Sequence, residues 1–230
     1  MELKGRLKLI ADKVPRCHTV GDVGTDHAFI PIYLIQKGIC KKAVAADIKE
    51  GPVNTAKKNI QSHGLDELIE TRMGSGLQPL GMGECDTVVI AGMGGLLIRN
   101  ILSEEYKKAC ATGTLVLQPM YAVEALRQWL YAEGFEIYDE ELEAEDDKVY
   151  VVLCSRYTGV RVARKELDCI IGEKLIEKQD PLLAKYLDKK ISQTVKVIYE
   201  IRNSSKYTGE ILEKNMKVLE LLSRLLNAIK

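Results

Sequence analysis

Short apolar runs alternate with amphipathic stretches over the first two thirds of the chain, and that alternation predicts strands separated by helices. Leu3, Leu7, Ile10 and Val14 recur at helical spacing and predict an N-terminal helix. A strand follows over about Thr19 to Asp22, then a helix running to Gly38, where glycine suits a C-terminal cap. Ala43-Val-Ala-Ala-Asp47 reads as a second strand. The stretch from Pro52 to His63, with proline in its first turn and Gly64 past its end, reads as a helix. Further strands are expected at Ile69 to Met73, Thr87 to Ala91 and Thr114 to Gln118, with helices at Leu96 to Lys108 and Val123 to Gly134. Two late strands, Glu136 to Glu143 and Lys148 to Arg156, form a hairpin at the sheet edge. Apolar strands that each feed a helix build an α/β fold with a mostly parallel sheet covered on both faces. Such sheets bind ligands at the carboxyl ends of their strands.

The pattern changes near residue 158, which divides the chain into a body, 1–158, and a helical tail, 159–230. Asp180-Pro181 reads as an N-cap and first helical position, opening a helix to Asn203. At 1.5 Å per residue it spans about 35 Å. Its stripe of Leu183, Leu187, Ile191, Val195 and Ile198 can face Ile211, Leu212, Met216, Leu219, Leu222, Leu226 and Ile229 beyond a turn from Asn203 to Gly209. The two helices are expected to form an antiparallel coiled coil, leaving Lys189, Lys190, Arg202 and Lys206 outside.

Net charge is zero, but residues 156–230 hold 16 Lys and Arg against 10 Asp and Glu. A basic tail suits a polyanion partner, although exposed helices also gather such charges for solubility. The 230 residues, 46% of them hydrophobic, allow one full domain and an appendage. No apolar run is long enough for a membrane helix and the N-terminus lacks a signal-peptide core, so a cytoplasmic protein without a membrane partner is expected. The six cysteines include no C-x-x-C pair, and His18, His27 and His63 are scattered; reduced thiols and no metal are expected. Oligomeric state stays open, with a monomer the simplest expectation.

Chemistry concentrates at the strand tips. In Val20-Gly-Asp-Val-Gly-Thr-Asp-His27 an apolar strand ends in an acidic glycine turn. Gly24 admits a ligand against the main chain, and Asp22 supplies a carboxylate for a cation or hydroxyl. The spacing lacks the third glycine of a dinucleotide fingerprint, and Asp22 with Asp26 would repel a pyrophosphate; S-adenosylmethionine, with an ammonium and a sulfonium, fits better. Asp47, at the second strand's tip, is placed to accept ribose hydroxyls, with a helix cap or a loop charge as its alternative role. Gly74 and Ser75 end the third strand. Ala91, Gly92, Gly94 and Gly95 leave the fourth, where bare main chain can approach cofactor or substrate, unless the glycines only make a tight turn.

Gly-Asp-Val-Gly-Thr-Asp-His-Ala-Phe-Ile-Pro31, Val-Ile-Ala-Gly-Met-Gly-Gly95 and Leu-Val-Leu-Gln-Pro119, in that order and spacing, resemble the bacterial tRNA (adenine-22-N1)-methyltransferase family over essentially the whole chain. The resemblance implies a Rossmann-like class I methyltransferase domain and a coiled-coil domain, with S-adenosyl-L-methionine as cofactor and tRNA as substrate. Asp22, Gly24, His27, Asp47, Gly74, Ser75, Ala91 and Gly92 are then expected at the cofactor, and Gly94, Gly95, Lys189, Lys190 and Arg202 at the RNA. Two departures stand out: Ser75 replaces a common acid, and Met120 replaces an asparagine after Pro119.

Adenine N1 carries an in-plane lone pair, so methyl transfer depends on alignment more than on a base. Asp26 is the expected catalytic carboxylate, stabilising positive charge near N6 or taking a proton there, with helix capping as its alternative. A nicotinamide oxidoreductase and a non-enzymatic S-adenosylmethionine-binding module with a protein-interaction tail are the competing readings.

Overall fold

The computed structural model describes residues 1–203 and 209–229; the expected turn over 204–208, with Lys206, lies outside them. Helix α1 (Gly5–Asp12) precedes β1 (Cys17–Val23), α2 (Phe29–Gln36), β2 (Cys40–Asp47), α3 (Glu50–Ser62), β3 (Ile69–Met73) and β4 (Thr87–Met93). Next come α4 (Gly95–Glu104), α5 (Tyr106–Ala111), β5 (Thr114–Pro119), α6 (Val123–Ala132) and the hairpin β6 (Phe135–Glu145) and β7 (Lys148–Tyr157). Helices α7 (Glu173–Glu177), α8 (Leu183–Arg202) and α9 (Gly209–Ile229) follow a short 3-10 turn, Glu166–Cys169.

The seven strands form one sheet in the order β3-β2-β1-β4-β5-β7-β6. β1 to β5 are parallel and β7 runs antiparallel to both β5 and β6, so the sheet is mostly parallel, as expected. Strand order reverses between β1 and β4, and adjacent tips diverge there to leave a crevice. Central strands are apolar on both sides: Val88, Val89 and Ile90 are all buried. One face packs Ile10, Ile32, Leu34 and Ile60 against Val20, Ala45 and Val89. Ile98, Leu102, Leu126, Leu130 and Phe135 are likewise fully buried in the body.

Two stretches depart from expectation. The helix expected over 96–108 breaks at Glu105, whose φ of −114° and ψ of 43° are not helical, and Tyr106 then donates its hydroxyl to Glu133 O at 2.7 Å. The compact units meet between Lys174 and Leu175, not at 158/159. Residues 159–174 stay with the body because Arg127 and Glu140, buried and paired at 2.7 Å, reach that strap: Arg127 Nη1 donates to the carbonyls of Cys169 and Ile170. A buried guanidinium needs such acceptors.

In the second unit α8 and α9 pack against one another. Asp180 makes a turn with Leu182 N at 2.8 Å, and α8 begins at Leu183, two residues later than expected. Leu187, Thr194, Ile198 and Ile201 are buried, whereas Val195 is 47% exposed. Thr194 takes the inward position, since Val195 lies about 100° further round the helix. Ile211, Met216 and Ile229 are also exposed, leaving Leu222 and Leu226 as the buried residues of α9. Among the described residues no helix is long and apolar enough to cross a membrane.

Candidate active site

The tips of β1 and β4 border a cavity of about 360 Å³, a volume within the range of small-ligand sites. Asp22, Gly24, Thr25, Asp26, His27, Ala28, Phe29 and Ile30 line it from the β1 side, Ala91 and Gly92 from the β4 side, and Arg6 and Leu7 from α1. Six of the expected site residues therefore share one cavity.

Asp22 is 7% exposed. Burial pushes its carboxyl up to about 6, the Thr25 hydroxyl pulls it back, and the charge of Asp47 adds to the rise. A buried carboxylate with so little compensation favours a cationic ligand. Two backbone bonds tie the β1 loop to β2: Gly24 N and Thr25 N both donate to Ala46 O, at 2.8 and 3.0 Å. Gly24 has φ +79°, and a Cβ there would collide with the Met93 methyl.

Beyond the turn the backbone passes through Ala28 at φ 55°, and α2 starts without a side-chain cap. Asp26 therefore does not cap α2. Its carboxylate lies 3.2 Å from His27 Nε2 and is largely exposed. His27 stacks on Phe29, with ring centroids 5.0 Å apart. Asn59 of α3 braces the loop by donating to His27 O at 3.0 Å.

Asp47 sits one strand away, with Oδ1 accepting from Lys49 N at 2.8 Å; α3 begins at Glu50, so this is a local turn and not a helix cap. Gly74 N donates to Asp47 O at 3.0 Å, which brings Gly74 and Ser75 beside it. Exposed Ile48 and Met73 flank the same tips. These residues are outside the lining of the cavity and extend the crevice along the sheet edge.

Gly94 and Gly95 lie outside the lining of the cavity. Gly95 is buried, its N–H donates to Tyr121 O at 2.8 Å, and a Cβ would strike Ala122 O. At Gly94 a Cβ would overlap the Tyr121 ring. Their missing side chains make room for the β5–α6 loop, and neither lines the cavity. Lys189, Lys190 and Arg202 lie on α8 in the other unit; Lys190 Nζ is 5.8 Å from the Tyr186 ring and Arg202 Nη2 is 3.9 Å from Met216 Sδ.

Sequence reasoning missed Arg6 and Gln118. Gln118, fully buried, accepts from Gly92 N at 3.0 Å and from Arg6 Nη1 at 2.6 Å, while its Nε2 donates to Pro119 O and lies 3.7 Å from Met120 Sδ. The polar group at this strand end is thus Gln118, one residue before Pro119, in the absence of an asparagine after it. A buried glutamine at a parallel-strand tip was the available signal; Arg6, within an amphipathic helix, carried none.

A buried acid at the β1 tip, a second acid at the β2 tip and an open crevice where strand order reverses make the ligand-binding end of a Rossmann-like sheet. The methyltransferase domain family matches residues 3–153. A Bacillus subtilis (strain 168) tRNA (adenine(22)-N(1))-methyltransferase is 30% identical over 232 residues, 98% of this chain and 94% of the relative. A Streptococcus pneumoniae structure in complex with S-adenosyl-L-methionine superposes with a TM-score of 0.86 at 30% identity, covering 98% of this chain and 100% of that one. The M. capricolum TrmK structure, bound to the cofactor product S-adenosyl-homocysteine, has a TM-score of 0.82 at 26% identity over the full length of both. The chain belongs to the tRNA (adenine(22)-N(1))-methyltransferase family.

The cofactor fits the residues present. Asp22 is a desolvated carboxylate suited to an ammonium, Asp47 is an acid one strand away, and Gly92 has φ +77° with no atom nearer than Arg6 Nη1, at 3.8 Å, to where a Cβ would be. Among the described residues no cluster of three or more His, Cys, Asp or Glu is arranged to hold a metal ion.

Proposed function

We propose that this protein transfers a methyl group from S-adenosyl-L-methionine to N1 of adenine 22 in tRNA. One observation carries the reading: an acid-lined cavity opens between the β1 and β4 tips of a chain that matches a tRNA adenine-22 N1 methyltransferase from end to end. When bound, the cofactor supplies an electrophilic methyl on a sulfonium. Asp22 binds the ammonium, Asp47 the ribose hydroxyls, and Gly24, His27, Gly74, Ser75, Ala91 and Gly92 complete the cofactor surface. Asp26 faces the base. Its carboxylate offsets the positive charge that spreads over adenine as N1 is alkylated, or accepts a proton from N6.

N1 lies on the Watson-Crick edge, so the adenine is turned out of its stack before it reaches the cavity. Helices α8 and α9 act as an antiparallel coiled coil that grips tRNA, with Lys189, Lys190 and Arg202 meeting phosphates; Gly94 and Gly95 serve the substrate only by shaping the β4 loop. The protein works in the cytoplasm as a monomer.

Mass-spectrometric mapping of unmodified tRNA after incubation with enzyme and donor tests the reading. N1-methyladenine at position 22, lost when that base is changed to guanine, is the expected result. Donor binding without methyl incorporation favours the interaction-module reading, and NADH binding in its place favours an oxidoreductase.

A further inference from the structure

At the end of the sheet away from the cavity, two cysteines stand side by side. Cys17 opens β1 and Cys40 opens β2; the parallel register pairs them directly, and Cys17 N donates to Ile39 O at 3.1 Å. Side chains at paired positions of neighbouring strands leave the same face, and strands about 4.8 Å apart hold such Cα atoms within the range that a disulfide spans. The two Sγ atoms are 2.9 Å apart and share a proton. Cys40 is buried and Cys17 half-buried, so a small oxidant meets Cys17 first. The hydrogen bond between them holds the Cys17 thiol below its ordinary range and pushes Cys40 above it, with burial adding to the rise at Cys40. Burial raises every other cysteine: Cys85 to about 12, Cys154 and Cys169 to about 11, and Cys110 likewise upward. Cys17 is therefore the thiol most ready to ionise, with a second thiol already in contact.

We propose that Cys17 and Cys40 form a reversible oxidation site, closed to a disulfide by peroxides and reopened by small thiols. The Cys17 thiolate attacks a peroxide oxygen and the O–O bond breaks; Cys17 becomes a sulfenic acid, and the departing hydroxide takes up the thiol's proton as water. Cys40 then gives up its proton as its sulfur displaces the hydroxyl from Cys17, which forms the S–S bond and releases a second water. Two thiols are oxidised to one disulfide and one peroxide is reduced to two waters. Asp22 lies five residues further along β1, about 17 Å at the rise of a strand, so the bond staples the starts of β1 and β2 far from the cavity.

Treating the full-length protein with equimolar hydrogen peroxide, quenching with an alkylating reagent in denaturant and mapping the peptides by mass spectrometry tests the site. The readout needs no methyl transfer and stands apart from the function proposed above. Alkylatable thiols should fall from six to four, with one peptide pair joining Cys17 to Cys40, and return to six with dithiothreitol. Cys40→Ser should stop Cys17 at the sulfenic acid, raising its labelling by dimedone about tenfold over wild type. Cys17→Ser should leave Cys40 reduced at the same dose. A bridge from Cys17 to Cys85, whose thiol also feels the charge of Cys17, overturns the proposal. So does a bridge between two molecules, oxidation spread evenly over the cysteines, or six thiols left intact. If Cys40→Ser fails to fold, the wild-type map alone decides.

Discussion

The two glycine-bearing loops at the heart of the crevice look alike in sequence and differ in what they accommodate. The loop after β1 turns outward with Asp26 exposed and Asp22 buried behind it, and lines a cavity. The loop after β4 opens to that cavity only at Ala91 and Gly92; Gly94 and Gly95 are filled by Tyr121 and Ala122 of the neighbouring loop. Glycine at a strand tip thus signals a close approach without saying whether the approaching group is a ligand or the protein itself. The first loop is kept for chemistry, the second largely for packing.

The strongest way to break that division is Asp26→Asn. If the β1 loop carries the chemistry, single-turnover methyl transfer should fall about a hundredfold or more while donor affinity stays within about twofold. Wild-type turnover in rapid-quench measurements would move the chemistry elsewhere.

A paired substitution sharpens the contrast within the β4 loop. Gly95→Ala should destabilise the protein by about 3 kcal/mol in chemical denaturation, because its Cβ drives into the Ala122 main chain. Gly92→Ala meets open space, and strain at φ +77° should cost about 1 kcal/mol; its larger effect should be on donor binding. Similar stability losses at both positions would erase the distinction.

Asp22 ranks next, through pH. Burial pushes its folded carboxyl up to about 6, above the 3.8 of a solvated aspartate, so the native state holds the proton more readily between those values. Stability therefore falls as pH rises from about 4 to about 6, and the full penalty is present above 6. Asp22→Asn removes it: the ligand-free variant should be about 2 kcal/mol more stable at pH 7.5, with no gain near pH 4, and should bind the donor more weakly. Wild-type donor affinity should drop below pH 6 as the carboxylate is protonated. A variant no more stable than wild type at pH 7.5 would show that Asp22 is not stressed by burial.

Much of this was legible in the chain. The strands and the helices between them follow from apolar runs that no single-sided pattern would produce, and the β1 loop showed its acids and glycines together. Less visible was anything that depends on meeting a distant segment. Val195 read as core until helical phase put Thr194 inward. Residues 159–174 read as tail because nothing local shows that Arg127 and Glu140 reach across to them. Gly94 and Gly95 read as ligand positions because Tyr121, 26 or 27 residues later, is silent about where it packs. Gln118 and Arg6, 112 positions apart, acquire meaning only when the sheet brings them within 2.6 Å.

The smallest expected effect concerns how the β1 loop is held. Met93 closes on Gly24 at its near end, and its far end is braced by one amide, from Asn59 to His27 O. Removing that amide leaves the carbonyl to water and should cost about 1 kcal/mol or less in global stability, since His27 is substantially exposed. Because the brace lies next to Asp26, the loss should appear in alignment: Asn59→Ala should lower kcat about three- to tenfold with donor affinity nearly unchanged. Unchanged kcat would mean that α2 and the bonds to Ala46 hold the loop without it, and the two loops would then differ in what they enclose but not in how they are supported.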